Sequence, residues 1–265
     1  MVQDMKEYAI KLYKTRYFWL HLVRSDLKSR FRRSKLGMLW VLIQPLLLTT
    51  IMSVVFSTVF NQPLGEYAVY ILSGIIVWDL ISSSTIAGGG CIMSAEQYIR
   101  QFNHPITIYS LRSALLYIVL FLLEINALII WILFMRPENL ILAIFTLPLT
   151  LMLYFMLSWS ITTIAGYMNT KYRDYPQMMG LVMQTIWYLS PVFFKKDMFT
   201  LSPALNILFQ LNPITHLLNL IRDPFVYGKM PGAISYLFVI ATILIFLFWA
   251  YQLNKKNQKK IIFYL

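Results

Sequence analysis

The sequence predicts an all-α integral membrane protein: six transmembrane helices, an amphipathic interfacial helix before them, and a re-entrant helix pair between spans five and six. Three observations lead there. The 265 residues are 58% hydrophobic and only 13% charged, with a mean hydropathy of +0.63. Soluble domains average about a quarter charged residues, and no soluble core could hide this much apolar surface. Apolar runs of about 20 residues, the length that crosses a bilayer, recur along the chain. The basic residues behind the net charge of +12 collect at the ends of those runs, as membrane proteins mark their cytosolic side. A nucleic-acid partner would need a folded basic domain, and the chain leaves no room for one.

Residues 1–35 form the first element. Tyr13, Tyr17, Leu20, Leu27 and Phe31 recur at helical steps, beside a basic row of Arg24, Lys28, Arg32 and Lys35. This predicts a helix on the inner leaflet with its basic row toward anionic headgroups. Charged and apolar positions alternate there without the compact apolar core of a signal peptide, so the N-terminus is expected to be retained in the cytosol. The spans follow as Leu36–Phe60, Tyr67–Gly88, Ile106–Met135, Leu140–Met168, the short Met178–Phe194, and Gly232–Leu253. Pro148 is expected to kink the fourth, and the glycines at 88–90 end the second.

Met198–Ile221 is also uncharged, but it carries Pro203, Pro213, three asparagines and His216. Broken, polar backbone at membrane depth has to be shielded by protein or line a wet cavity. It therefore reads as re-entrant over 198–221. Ten Lys/Arg precede the first span, and Lys255, Lys256, Lys259 and Lys260 follow the last. Both termini, with 254–265 as a tail, are thus expected in the cytosol, which requires an even number of crossings. Arg136, Lys195, Lys196, Arg222 and Lys229 then fall outside. The whole chain, 1–265, reads as one transmembrane domain, with its six-span bundle over 36–253.

Enzyme signatures are missing. The three histidines lie in three separate regions, and no Gly-rich phosphate loop ends in Lys-Ser/Thr. The single Cys91 excludes an internal disulfide framework. Asp79 and Glu124 are the acids well inside spans; such groups are functional suspects by default, although local structural pairing is the plainer alternative. Residues 94–105, "SAEQYIRQFNHP", join spans two and three, and a helix there sets Glu96 and Arg100 one turn apart. Tyr98 and Phe102 supply apolar anchors, which suits a protein contact.

Three ordered stretches carry a resemblance. "RSDLKSRFRRSKLGMLWVLIQPLLL" at 24–48, "YRDYPQMMGLVMQTIWYLSPVFF" at 172–194 and "LNPITHLLNLIRDPFVYGKMP" at 211–231 resemble the membrane subunit of ABC-2-type exporters for O-antigen, capsule and teichoic-acid chains, most closely the O-antigen type. The resemblance covers nearly the whole chain. It implies a homodimeric pore in the bacterial inner membrane and two copies of a separate ATPase subunit, which hold the ATP and magnesium, so that no cofactor is expected on this chain. It also implies a lipid-linked polysaccharide as cargo, and Glu96, Tyr98, Arg100 and Phe102 as the ATPase-coupling segment. The pyrophosphate of the cargo could meet the rim at Arg24, Lys28, Arg32 and Lys35.

Phe56, Phe60, Tyr70, Trp187 and Tyr188 are expected to line the pore, since a sugar ring has an apolar face that stacks on an aromatic ring. The interfacial aromatic belt accounts for most such positions, but less well for Trp187 and Tyr188 in mid-span. Two alternatives from other classes stand beside this: a membrane enzyme of envelope glycan synthesis, and an ion-coupled flippase using Asp79 and Glu124.

Overall fold

The computed structural model describes residue 10 and residues 12–102, 104–195, 207, 209–258 and 260–265. Its helices are α1 (Arg16–Phe31), α2 (Trp40–Val59), α3 (Leu64–Thr85), α4 (Glu96–Gln101), α5 (Thr107–Met135), α6 (Leu140–Lys171), α7 (Tyr175–Leu189), α8 (Pro213–Phe225) and α9 (Ala233–Asn257). Short 3-10 turns extend some of these, over Gly37–Leu39, Ala87–Cys91 and Pro137–Asn139 among others. The described residues contain no β-strand.

Five helical stretches are long and apolar enough to cross a membrane: Gly37–Val59, Leu64–Cys91, Thr107–Met135, Pro137–Lys171 and Ala233–Asn257. The expected span at 178–194 differs. Its helix, α7, has 15 residues, about 22 Å at 1.5 Å per residue, whereas the hydrocarbon layer is about 30 Å thick. The cause is local: proline disfavours helical backbone in the residue before it, and Ser190, which precedes Pro191, is extended at φ −114°, ψ 146°. The expected re-entrant pair is described only in its second limb, α8. Most of its first limb, including Pro203, lies outside the described residues. Pro213 is not interior to a helix but opens α8, where its missing N–H costs nothing. The Asn212 side chain caps the same turn by accepting from the Ile214 N–H at 2.9 Å.

The bundle is built around α3, which packs against α2, α5, α6 and α8. Tyr67, Ile71, Leu72, Ile75 and Ile76 on α3 are all fully buried. On α2 the pattern is inverted: Thr49, Ser53 and Ser57 face inward at four-residue spacing, while Leu47, Ile51, Val55 and Val59 face outward. Small inward residues let helices approach closely in a bilayer, and an apolar outer face needs lipid or a partner around it. Helix α9 likewise exposes Leu237, Leu244 and Phe248.

The bundle has two ends. At one lie the basic row of α1, Arg100, Lys171 and the end of α9. There a second core joins Cys91, Ile99, Tyr109, Tyr167 and Ile261, so the C-terminal tail folds back onto the bundle. At the other end Arg136 pairs with Glu66 at 2.6 Å, and Asn139 donates to the Phe225 and Val226 carbonyls. Helices α5 and α6, with 29 and 32 residues, run about 43 and 48 Å.

Candidate functional site

The basic end carries the first group of expected residues. Leu22 and Val23 are buried where α1 packs on α5, and Asp26 forms a two-pronged ion pair with Arg112 of α5. Sequence reasoning left Asp26 unassigned and had Arg112, near the start of the third span, snorkel to the interface. Asp26 is the lone acid within 24–35, and that isolation was the available signal. The partly buried pair, 24% and 14% exposed at the side chain, fixes the roll of α1. Arg24, Lys28, Arg32 and Lys35 are thereby turned to the exposed side. The predicted apolar row divides: Leu27 and Phe31 join the core, while Tyr13, Tyr17 and Leu20 stay exposed.

Helix α4 sits beside α1. Glu96 and Arg100 pair at 2.9 Å along its outer surface, and Ile99 is buried beneath them. Tyr98 meets the Phe18 ring of α1 edge-on at 5.9 Å, and Phe102 approaches the same ring at 6.3 Å. The anchors of α4 thus have a partner within the chain. Phe18 joins α4 to α1, and Asp26 with Arg112 joins α1 to α5.

The second group surrounds the segment after α7. Ser190–Phe194 is not helical, so its carbonyls need donors from elsewhere. Three side chains provide them. Tyr67 donates to the Phe193 carbonyl at 2.8 Å, and Tyr70 to that of Phe194 at 2.6 Å. Arg222 donates to the Pro191 carbonyl at 2.6 Å, to the Tyr70 hydroxyl at 2.9 Å, and to the Val192 carbonyl. Its guanidinium also lies 3.6 Å from the Tyr70 ring centroid. Gly74 makes this packing possible, since a Cβ there would strike the Val192 carbonyl oxygen and the guanidinium.

Arg222, expected only as one of the charges on the outer side of the membrane, is 3% exposed and ties α8, α3 and the 190–194 segment together. Beyond the segment, Lys195 donates to Gln62 at 2.7 Å, at the end that carries Glu66. At the start of α7, the Tyr175 ring lies against Gly89, at the basic end. Asn212, which begins α8, donates to Ser190 Oγ at 2.9 Å.

The expected pore-lining aromatics part company around this segment. Phe56 packs on Phe60 and Phe193, at 5.8 and 5.4 Å between ring centres, and Phe60 meets Phe194 edge-on at 6.0 Å. Trp187 stands edge-on to Trp78 at 5.1 Å and beside Phe193 at 6.2 Å. Tyr188 points outward, 61% exposed. Tyr70 does not fit the set: it is 3% exposed, because it belongs to the central helix and its hydroxyl is committed to backbone carbonyls. Asp79 and Glu124, on neighbouring helices, face one cavity.

Comparisons with known proteins agree in one direction. A family profile described as ABC-2 type transporter matches residues 17–226, from α1 through α8. The O-antigen export system permease protein RfbA of Klebsiella pneumoniae is 22% identical over 209 residues, 79% of this chain and 80% of that protein. A protein of the same name from Myxococcus xanthus is 22% identical over 241 residues, 91% and 92% of the two chains. The polysialic acid transport protein KpsM of Escherichia coli is 22% identical over 244 residues, 88% and 91%.

Proposed function

This chain belongs to the ABC-2 type transporter family, and on that premise we propose that it is the pore-forming membrane subunit of an ATP-driven exporter of lipid-linked polysaccharide, with O-antigen as the cargo. The carrying observation is the family match, which runs through every element that positions the two groups above. The export permeases among its relatives, aligned over most of their lengths, support polysaccharide as the substrate class. In this reading two copies form the pore in a bacterial inner membrane. Two copies of a separate ATPase dock at the basic end, holding nucleotide and magnesium.

Both termini then lie in the cytosol, and the chain crosses six times. The crossing beyond the five long apolar helices, fifth in chain order, is assigned to residues 175–195, where helix α7 is prolonged by extended backbone. Its support is that Tyr175 lies by Gly89 at one end while Lys195 reaches Gln62 at the other. A re-entrant excursion through α8 is supported by the contact of Asn212 with Ser190. Helix α4 receives the ATPase, the basic rim of α1 meets the pyrophosphate, and Phe56, Phe60, Trp187 and Tyr188 border the glycan path.

Proteoliposomes test the assignment. With the partner ATPase supplied, ATP hydrolysis should accompany movement of a lipid-linked glycan across the bilayer, and the chain alone should do neither. Nucleotide turnover by the isolated chain, or glycan movement without the ATPase, would overturn it.

A further inference from the structure

A cavity of about 300 Å³ lies between α1, α2, α3 and α5, at the small end of the ligand-pocket range of about 300–1,000 Å³. Its walls hold both intramembrane acids, Asp79 and Glu124, with Arg30 of the basic helix. Exposure falls steadily inward. Arg30 is exposed and Trp40 half exposed, Asp79 is intermediate, and Glu124 is 9% exposed. The cavity therefore opens beside the interfacial helix and has Glu124 at its floor. Among the described residues neither carboxylate makes a hydrogen bond or an ion pair, although charges elsewhere on α1, α4 and α5 do.

We propose that this cavity binds a primary ammonium group carried by a phospholipid headgroup, with Asp79 and Glu124 holding the ammonium and Arg30 meeting the adjacent phosphate. A carboxyl as buried as Glu124 carries its charge only where a counter-charge or donors compensate it, and an ammonium brings both that charge and three donors to the carboxylate oxygens. Trp40, Tyr117 and Phe121 add aromatic walls, a second feature suited to a desolvated cation. The mouth is bounded by the interfacial helix and the first turn of α2, at the level where headgroups lie. That position makes a membrane lipid the occupant.

The test uses the full-length chain in mixed micelles with dioleoylphosphatidylethanolamine or dioleoylphosphatidylglycerol, which share the phosphate and differ in the ammonium. Lipid retained after detergent exchange is counted by native mass spectrometry. Charge-assisted hydrogen bonds of this kind correspond to a preference of about tenfold or more for the ethanolamine lipid. Asp79→Asn and Glu124→Gln, close in size to the originals, should each bring that ratio toward one. Arg30→Gln should weaken retention of both lipids equally.

Water-soluble phosphoethanolamine separates the sources. Displacement of the lipid by it would support the headgroup as the recognised part. Retention of the lipid against it would support a docked membrane lipid whose chains contribute. Equal retention of the two lipids by the unmodified chain would overturn the proposal, whatever the folding of the variants. So would an unchanged preference in the Asp79→Asn/Glu124→Gln double variant.

Discussion

Replacing Arg222 by leucine isolates the forces that hold the 190–194 segment. The Val192 carbonyl would lose its donor, and the Pro191 carbonyl would keep only the longer bond from Tyr70 at 3.3 Å. A buried polar group left unsatisfied costs about 1–3 kcal/mol and a lost hydrogen bond about 0.5–1.5 kcal/mol, so the orphaned Val192 carbonyl and the weakened Pro191 carbonyl together should loosen the segment by about 2–4 kcal/mol. At about 1.4 kcal/mol per factor of ten, even the lower figure raises the open population about 30-fold.

Val192 is 0% exposed, so a cysteine placed there in a Cys91→Ser background reports opening directly. Its reaction with a maleimide should be about 30-fold faster in Arg222→Leu when closing outpaces labelling, the regime in which rate follows open population. Arg222→Lys keeps the charge but not the fork of donors, and should fall between the two. Equal labelling rates in Arg222→Leu and its parent would refute the idea that this side chain secures the segment.

Asp26→Asn should free α1 from α5: breaking a partly buried pair by removing one charge costs about 3 kcal/mol or less, and tryptic cleavage within Arg24–Arg33 should accelerate. The exchange Asp26→Arg with Arg112→Asp should recover part of the protection. Glu96→Arg places a like charge one turn from Arg100, and Tyr98→Ala removes an aromatic pair worth about 1 kcal/mol. In the complex with the ATPase, both should leave hydrolysis running while export falls, and normal export per ATP would show α4 to be a simple connector. Trp187→Leu with Tyr188→Leu should slow glycan export while ATPase binding and thermal stability hold. An unchanged export rate would remove these rings from the path.

The long helices were legible because their apolar runs exceed what a soluble fold tolerates, and the resemblance motifs pointed to the family that the profile match supports. The span at 178–194 was legible as short, but its helix stops at Leu189 while hydropathy continues to Phe194, because Ser190-Pro191 breaks it. The role of Arg222 was not legible, because its partners Val192 and Tyr70 lie 30 and 152 positions away. Asp26 and Arg112 are separated by 86 positions, beyond the reach of any helical periodicity. Tyr70 was grouped with its neighbours as a span-end aromatic. Only the central placement of α3 shows that its hydroxyl serves the backbone.

The irregular backbone after α7 bears on how the chain is assembled during synthesis. A continuous apolar helix satisfies its own backbone and can enter the bilayer alone. Residues 190–194 cannot, since their carbonyls depend on side chains from other parts of the protein. Tyr67 and Tyr70 have already been made when this segment leaves the ribosome, but Arg222 follows Val192 by 30 residues. Seating should therefore proceed in two stages, first on the tyrosines of α3 and then under the guanidinium once α8 arrives. A chain truncated before Arg222 should hold this segment loosely, as a substrate for membrane proteases, and its protection should begin only when α8 is complete.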